Sequence, residues 1–173
     1  LEHCPSMFAE TAKFNQPVNL NLPNCTNLGL LAYCSQYNQP FKVLLNDDGV
    51  DNMGYLFYGC FVFNQPLENC GLKLKNGGYA NYLFGYCYEF NQPVVNNNTI
   101  VNIKNATNVD ALFHTCREFN QPVNDLLKGG NTYLPSYIFR NCEKFNQDVS
   151  GWTFSQDEKI LGGAYPWFTF AGC

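Results

Sequence analysis

Apolar and polar positions along this chain follow two alternating periods. In the stretch NVDALFHTCREF (108–119), Val109, Leu112, Phe113 and Cys116 recur at i, i+3, i+4 and i+7, and Phe119 closes the run. That spacing predicts one buried face of a short helix. The period then drops to two. Val18, Leu20 and Leu22 alternate with Asn, and Phe41, Val43 and Leu45 alternate in the same way. Period two predicts a short strand with one buried face. Turn-forming clusters follow: LPN, NDDG, NGG, NNN and KGG.

This order repeats. An aromatic-Asn-Gln string begins at Phe14, Tyr37, Phe63, Phe90, Phe119 and Phe145, at spacings of 23, 26, 27, 29 and 26 residues. Cys34, Cys60, Cys87, Cys116 and Cys142 each stand three residues ahead of one copy, and Thr11 takes that place in the first. Three residues further back come Phe8, Leu31, Phe57, Phe84, Phe113, Phe139 and Phe170. A seventh copy starts in WFTFAGC and reaches Cys173. One unit of about 25 residues is too small to bury its own apolar face, so units must stack. The expected fold is α/β: a leucine-rich-repeat-like solenoid of six to seven coils over residues 1–173. Each coil would carry a short helix and a short strand, the strands forming a narrow parallel sheet. Residues 157–173 break the spacing and read as a terminal or partial repeat.

Each motif residue then has a structural role. Phe14, Tyr37, Phe63, Phe90, Phe119 and Phe145 should stack as an aromatic core. The five motif cysteines read as buried thiols acting as small hydrophobes. Equivalent side chains point the same way, which is poor geometry for a disulfide between coils. Cys4, Cys25 and Cys70 lie off this column, where a bridge is harder to exclude. Asn15, Asn38, Asn64, Asn91, Asn120 and Asn146 should turn inward at a corner and bond backbone groups that the bend leaves unpaired. Pro17, Pro40, Pro66, Pro93 and Pro122 should sit at that corner or at a strand's first residue, with Asp148 in the sixth copy.

These residues resemble a known family. NVDALFHTCREFNQPV and FNQDVSGW are similar to the BspA-like leucine-rich-repeat family of bacterial surface lipoproteins. The FNQP string is also similar, more weakly, to FNIP repeats. The resemblance covers essentially the whole chain, with one departure: Trp152 alone fills the tryptophan position after the motif. It implies a surface-displayed binding or adhesion module without catalytic residues.

Composition narrows the function classes. Hydrophobic residues make up 46% of the chain but charged residues only 14%. The net charge is −4, with no basic run, which argues against nucleic-acid binding. No apolar run approaches a membrane span. The chain begins at Leu1, so a leader is not legible. Nine cysteines cannot all pair within one chain.

Candidate chemistry is sparse. His114 lies two residues from Cys116, and such residues do not face each other on a helix. NDDGVDN (46–52) offers acidic oxygens but lacks the ligand spacing and closing Glu of a calcium loop, and reads as a solvated turn. The cysteines, one per coil, lack the clustering of a zinc site. No catalytic residue, metal or cofactor is expected. Sequons at Asn24, Asn97 and Asn105 matter only on a eukaryotic secretory route.

Both ends should expose apolar surface, and Trp167 or Phe168 should contact another chain or a further segment. The expected function is a non-enzymatic repeat scaffold for adhesion, or a structural or decorating component. It would sit on a cell surface or virion, with neighbouring subunits, a surface receptor or a glycan as partner. An intracellular interaction adaptor in the cytoplasm is the alternative, supported by reduced thiols. The non-catalytic repeat region of a larger enzyme is a third.

Overall fold

A computed structural model describes residues 6–95, 101–129, 135–154 and 170–173. The repeats stack coil upon coil, and backbone N–H groups in the turns bond the carbonyl one residue before their equivalents in the next coil. Leu31 N–H donates to Leu56 O, Phe57 to Leu83, Phe84 to Leu112 and Phe113 to Ile138, at 3.0 or 3.1 Å. One apolar core runs through the described residues, from Val18 to Phe145.

The helix-plus-strand expectation is wrong. The described residues contain no helix, only four short strands in two small parallel sheets. β1 (Val18–Asn21) pairs with β2 (Phe41–Leu44), Val18 opposite Phe41. β3 (Val50–Asn52) pairs with β4 (Leu74–Tyr79), with a register break that β4 accommodates at Gly77, φ 79°. Pro17 and Pro40 stand one residue ahead of β1 and β2, where no ladder N–H is needed.

Left-handed residues explain why the predicted helix fails to form. The residue before each cysteine position has positive φ in all seven coils: Glu10, Tyr33, Gly59, Tyr86, Thr115, Asn141 and Gly172. Four residues earlier, Ser6, Tyr55, Tyr82, Ala111 and Tyr137 are also left-handed. Each such residue ends a turn, so the segment is two consecutive tight turns and not a right-handed helix. The bonds agree. Cys60 N–H reaches Phe57 O at 3.0 Å and Phe63 N–H reaches Cys60 O at 3.1 Å, both spans of three residues. The amides between them point to the next coil: Tyr33 to Tyr58 O, Gly59 to Gly85 O, Tyr86 to His114 O and Thr115 to Arg140 O. Tight turns and helix both return a side chain to one face every three to four residues, so both fit the same apolar spacing.

Gly71 marks the closest approach between coils. Its φ is 78°, and a Cβ there would lie 1.8 Å from Val43 O. Only glycine fits at that point.

Candidate functional site

Inside the stack, the motif aromatics form a column. Neighbouring rings among Phe14, Tyr37, Phe63, Phe90, Phe119 and Phe145 are 5.7 to 6.1 Å apart and close to parallel. A second column runs through Phe57, Phe84, Phe113, Phe139 and Phe170 at 5.6 to 5.7 Å. Within a coil the two columns touch, as at Phe113 and Phe119, 4.2 Å apart. Trp152 joins them against Phe139 and donates Nε1–H to Val123 O at 2.8 Å.

The motif thiols form hydrogen-bonded rungs. Cys34 Sγ–H donates to Phe8 O, Cys60 to Leu31, Cys87 to Phe57, Cys116 to Phe84, Cys142 to Phe113 and Cys173 to Phe139, at 2.9 to 3.2 Å. Each accepting carbonyl also takes the N–H of its own coil's turn, so both lone pairs are satisfied. Burial pushes the thiols of Cys60, Cys87, Cys116 and Cys142 well above the ordinary range, because ionisation would strand charge in the core. These are free, buried thiols, whereas Cys173 is exposed. Cys70 is likewise free and buried, and Cys25 is buried with Sγ donating to Asn27 O. Cys4 lies outside the described residues.

The Asn column sits between core and solvent. Asn38 through Asn120 are half-buried, while Asn15 and Asn146 are exposed. Each Oδ1 accepts from the next coil: Asn15 from Asn38 N–H, Asn38 from Asn64, Asn64 from Asn91, Asn91 from Asn120 and Asn120 from Asn146, at 2.9 or 3.0 Å. The same oxygens of Asn38, Asn64, Asn91 and Asn120 also accept Nε2–H from Gln65, Gln92, Gln121 and Gln147. The amide clamps one coil to the next, which is more specific than capping a bend.

The polar candidates take ordinary structural places. His114 is buried, 2.8 Å from Thr115 Oγ1 and packed on the Tyr86 ring, while Cys116 bonds Phe84 O. Burial, with Arg140 nearby, holds the imidazole below its usual range. In the 46–52 loop, Asn46 Oδ1 accepts from Asp48 and Gly49 N–H, an Asx-type turn. Among the described residues no group of three or more metal-ligating side chains comes together. No helix among them is long and apolar enough to cross a membrane. Trp167 and Phe168 lie outside the described residues.

The sequence reading missed the outer surface of the turns. In coils two to four, marked by Tyr37, Phe63 and Phe90, this surface carries Tyr33, Tyr55, Tyr58, Phe61, Tyr82, Tyr86 and Tyr88. Tyr58 is the hub. It meets Tyr33, Tyr55, Tyr82 and Tyr86 edge-on at 5.1 to 5.6 Å. Two stacked pairs cross from coil to coil: Tyr55 with Tyr82 at 5.2 Å, and Phe61 with Tyr88 at 4.8 Å. Tyr33 is 52% exposed, Tyr55 43% and Phe61 37%. At the outer positions of these coils Glu89 is the one charged residue. Charge returns on either side, with Glu10 and Lys13 in the first coil and the Arg117–Glu143 and Lys144–Glu118 pairs beyond. Arg117 caps the Tyr88 ring at 4.6 Å.

The repeat does not demand these rings. Equivalent positions hold Ser6, Gly29 and Ala111, or Ala9, Ala32 and Gly85, in other coils. Tyr33, Tyr55, Tyr82 and Tyr86 also adopt left-handed φ of 54 to 63°, a cost of about 1 kcal/mol or more each for a residue with Cβ. At the position of Tyr33 and Tyr86, Gly59 and Gly172 avoid that cost. The usable signal was the set of aromatics lying outside the repeating core columns.

Together these features define a repeat protein, without helix among the described residues, whose coils are tied by thiol and amide rungs. The family described as "Mycoplasma protein of unknown function, DUF285" matches residues 2–97 and again residues 79–162. The two matches span most of the chain, and the chain belongs to that family. No curated protein and no solved structure matches it.

Proposed function

We propose that the chain is a non-enzymatic repeat scaffold, displayed on a cell surface or virion, that works by surface interaction. The observation that supports this is the outer aromatic face of coils two to four. Tyr33, Tyr55 and Phe61 are exposed there, and smaller or polar residues fill the equivalent places in other coils, so the rings serve a use outside the fold. The FNQP and FNQD units resemble those of BspA-like surface proteins, which supports display. A neighbouring subunit, a receptor protein or a glycan all fall within this reading.

An intracellular adaptor is the second reading, favoured by the reduced thiols. Their burial weakens that support, since a thiol inside the core is shielded from oxidant in either compartment.

Antibodies raised against the chain, applied to intact cells and purified particles of the encoding organism, test the proposal. Labelling without permeabilisation is expected. Labelling only after permeabilisation, with particles unlabelled, would overturn display and favour the adaptor.

A further inference from the structure

Two polar side chains lie inside the stack. His114 is 8% exposed and Thr115 6%, and apart from tyrosine and cysteine they are the buried polar or charged side chains among the described residues. They stand side by side in coil five, marked by Phe119, and face coil six, marked by Phe145. A short chain of hydrogen bonds crosses that joint. Asn141 Nδ2–H of coil six donates to Thr115 Oγ1 at 3.4 Å, and Thr115 Oγ1 lies 2.8 Å from His114 Nδ1. Neutral, with its proton on Nε2, the imidazole accepts the Thr115 hydroxyl at Nδ1. The backbone crosses here as well. Tyr86 N–H of coil four donates to His114 O, and Thr115 N–H donates to Arg140 O, both at 2.7 Å.

We propose that the joint between coils five and six is an acid-sensitive device: protonation of His114 breaks its link to Thr115 and opens the stack there. Three consequences of protonation act together. An imidazolium carries N–H on both nitrogens, so Nδ1 no longer accepts and the Thr115 hydroxyl has to turn away. The charge falls in a buried position, where it loses water. Arg140 holds the same place in coil six that His114 holds in coil five, so the new charge stands one coil from a guanidinium.

The surrounding groups do not offset that charge. Coil four presents Tyr86 and Tyr82, with ring centroids 5.0 and 6.1 Å away, both tilted and both neutral in this pH range. Glu89, on the same coil's turn, is exposed. In coils five and six, Asp110 Oδ1 accepts Ser136 N–H at 2.7 Å, Arg117 pairs with Glu143, and Lys144 pairs with Glu118. Arg140 packs over the Tyr137 ring at 5.3 Å.

The direction of the pH dependence follows. Burial first, and Arg140 second, hold the imidazole below its usual range in the closed joint. The opened ring therefore binds the proton more readily. The joint is fully stable above about pH 6.5, the value of a free imidazole, and weakens as pH falls below it. Tyr82 and Tyr86 belong to the outer aromatic face, so the edge of that face loosens with the joint. The device is a property of the fold and holds whatever the chain binds.

Hydrogen exchange of the full chain, read by NMR between about pH 7.5 and 5.5 and expressed as protection against the intrinsic rate at each pH, tests it. Tyr86 and Thr115 N–H report the joint. Tyr33 and Gly59 N–H, which make the same bonds in coils two and three, are the internal control. Protection at Tyr86 and Thr115 should fall about threefold or more across that range, while Tyr33 and Gly59 keep theirs. His114→Gln, neutral throughout, should hold all four level. Should that variant melt early, His114→Tyr takes its place, since Tyr58 fills the same position in coil three. Unchanged protection at Tyr86 and Thr115 overturns the proposal. So does an equal loss at all four amides, or a fall that persists in the His114 variant.

Discussion

Cys116 Sγ lies 2.9 Å from the carbonyl oxygen of Phe84, in the preceding coil. That oxygen also accepts Cys87 N–H, so one carbonyl fastens its own turn and the coil above it. Cys116→Ala removes the rung and leaves a small cavity in a fully buried position. We expect it to cost about 1 to 3 kcal/mol, read as a lower urea midpoint with unchanged slope.

The same thiols set an alkaline limit. The folded state raises their pKa above the unfolded value of about 8.5. A raised pKa stabilises the fold fully below the unfolded value, and that stability is lost as pH rises. Unfolding free energy should therefore fall from about pH 8.5 upward. A triple Cys60→Ala, Cys87→Ala, Cys116→Ala variant, less stable at neutral pH, should show a shallower decline. A thiol-reactive dye at pH 8 should label Cys173, which is exposed, before any of the three.

Asn91 Oδ1 receives two donors, Asn120 N–H and Gln121 Nε2–H, both at 3.0 Å. Asn91→Ala leaves both without that acceptor and should cost about 2 kcal/mol. Asn91→Asp keeps an oxygen there and should recover most of the loss. Thermal unfolding of the three proteins checks the order: wild type highest, Asp next, Ala lowest.

Gly71→Ala places a Cβ against Val43 O in a backbone conformation that disfavours it. It should destabilise by about 3 kcal/mol or more. Ala111→Gly is the converse. Ala111 is left-handed at φ 52°, and glycine should relieve strain and raise the melting temperature by a few degrees. Equal effects of both substitutions would contradict the left-handed turns.

Much of the stacking was legible in the sequence because it repeats. Cys, Phe and Asn recur at fixed offsets, and such columns can only meet by stacking. The conformation of the turn was not legible from apolar spacing. Val109, Leu112, Phe113 and Cys116 mark one face of a helix or of two tight turns equally well. The discriminating signal lay in a position the apolar pattern ignores. Gly59, Asn141 and Gly172, residues suited to positive φ, all precede a cysteine. The strands were legible at Val18 and Phe41, where apolar residues alternate directly after the proline. The next coil has no such alternation after Pro66, where Glu68, Asn69 and the left-handed Gly71 follow Leu67. The outer tyrosines escaped notice because they do not repeat. Ser6, Gly29 and Ala111 share their column with Tyr55 and Tyr82, so periodicity averages them away.

The left-handed turn is the point on which fold and function both depend, since it replaces the helix and carries the outer tyrosines. Solution NMR couplings that report φ at Tyr33, Tyr86, Ala111 and Thr115 test it most directly. Positive φ at all four, within 52 to 63°, is the predicted result. Negative, helical φ running unbroken from Val109 to Phe119 would contradict it and restore the helix.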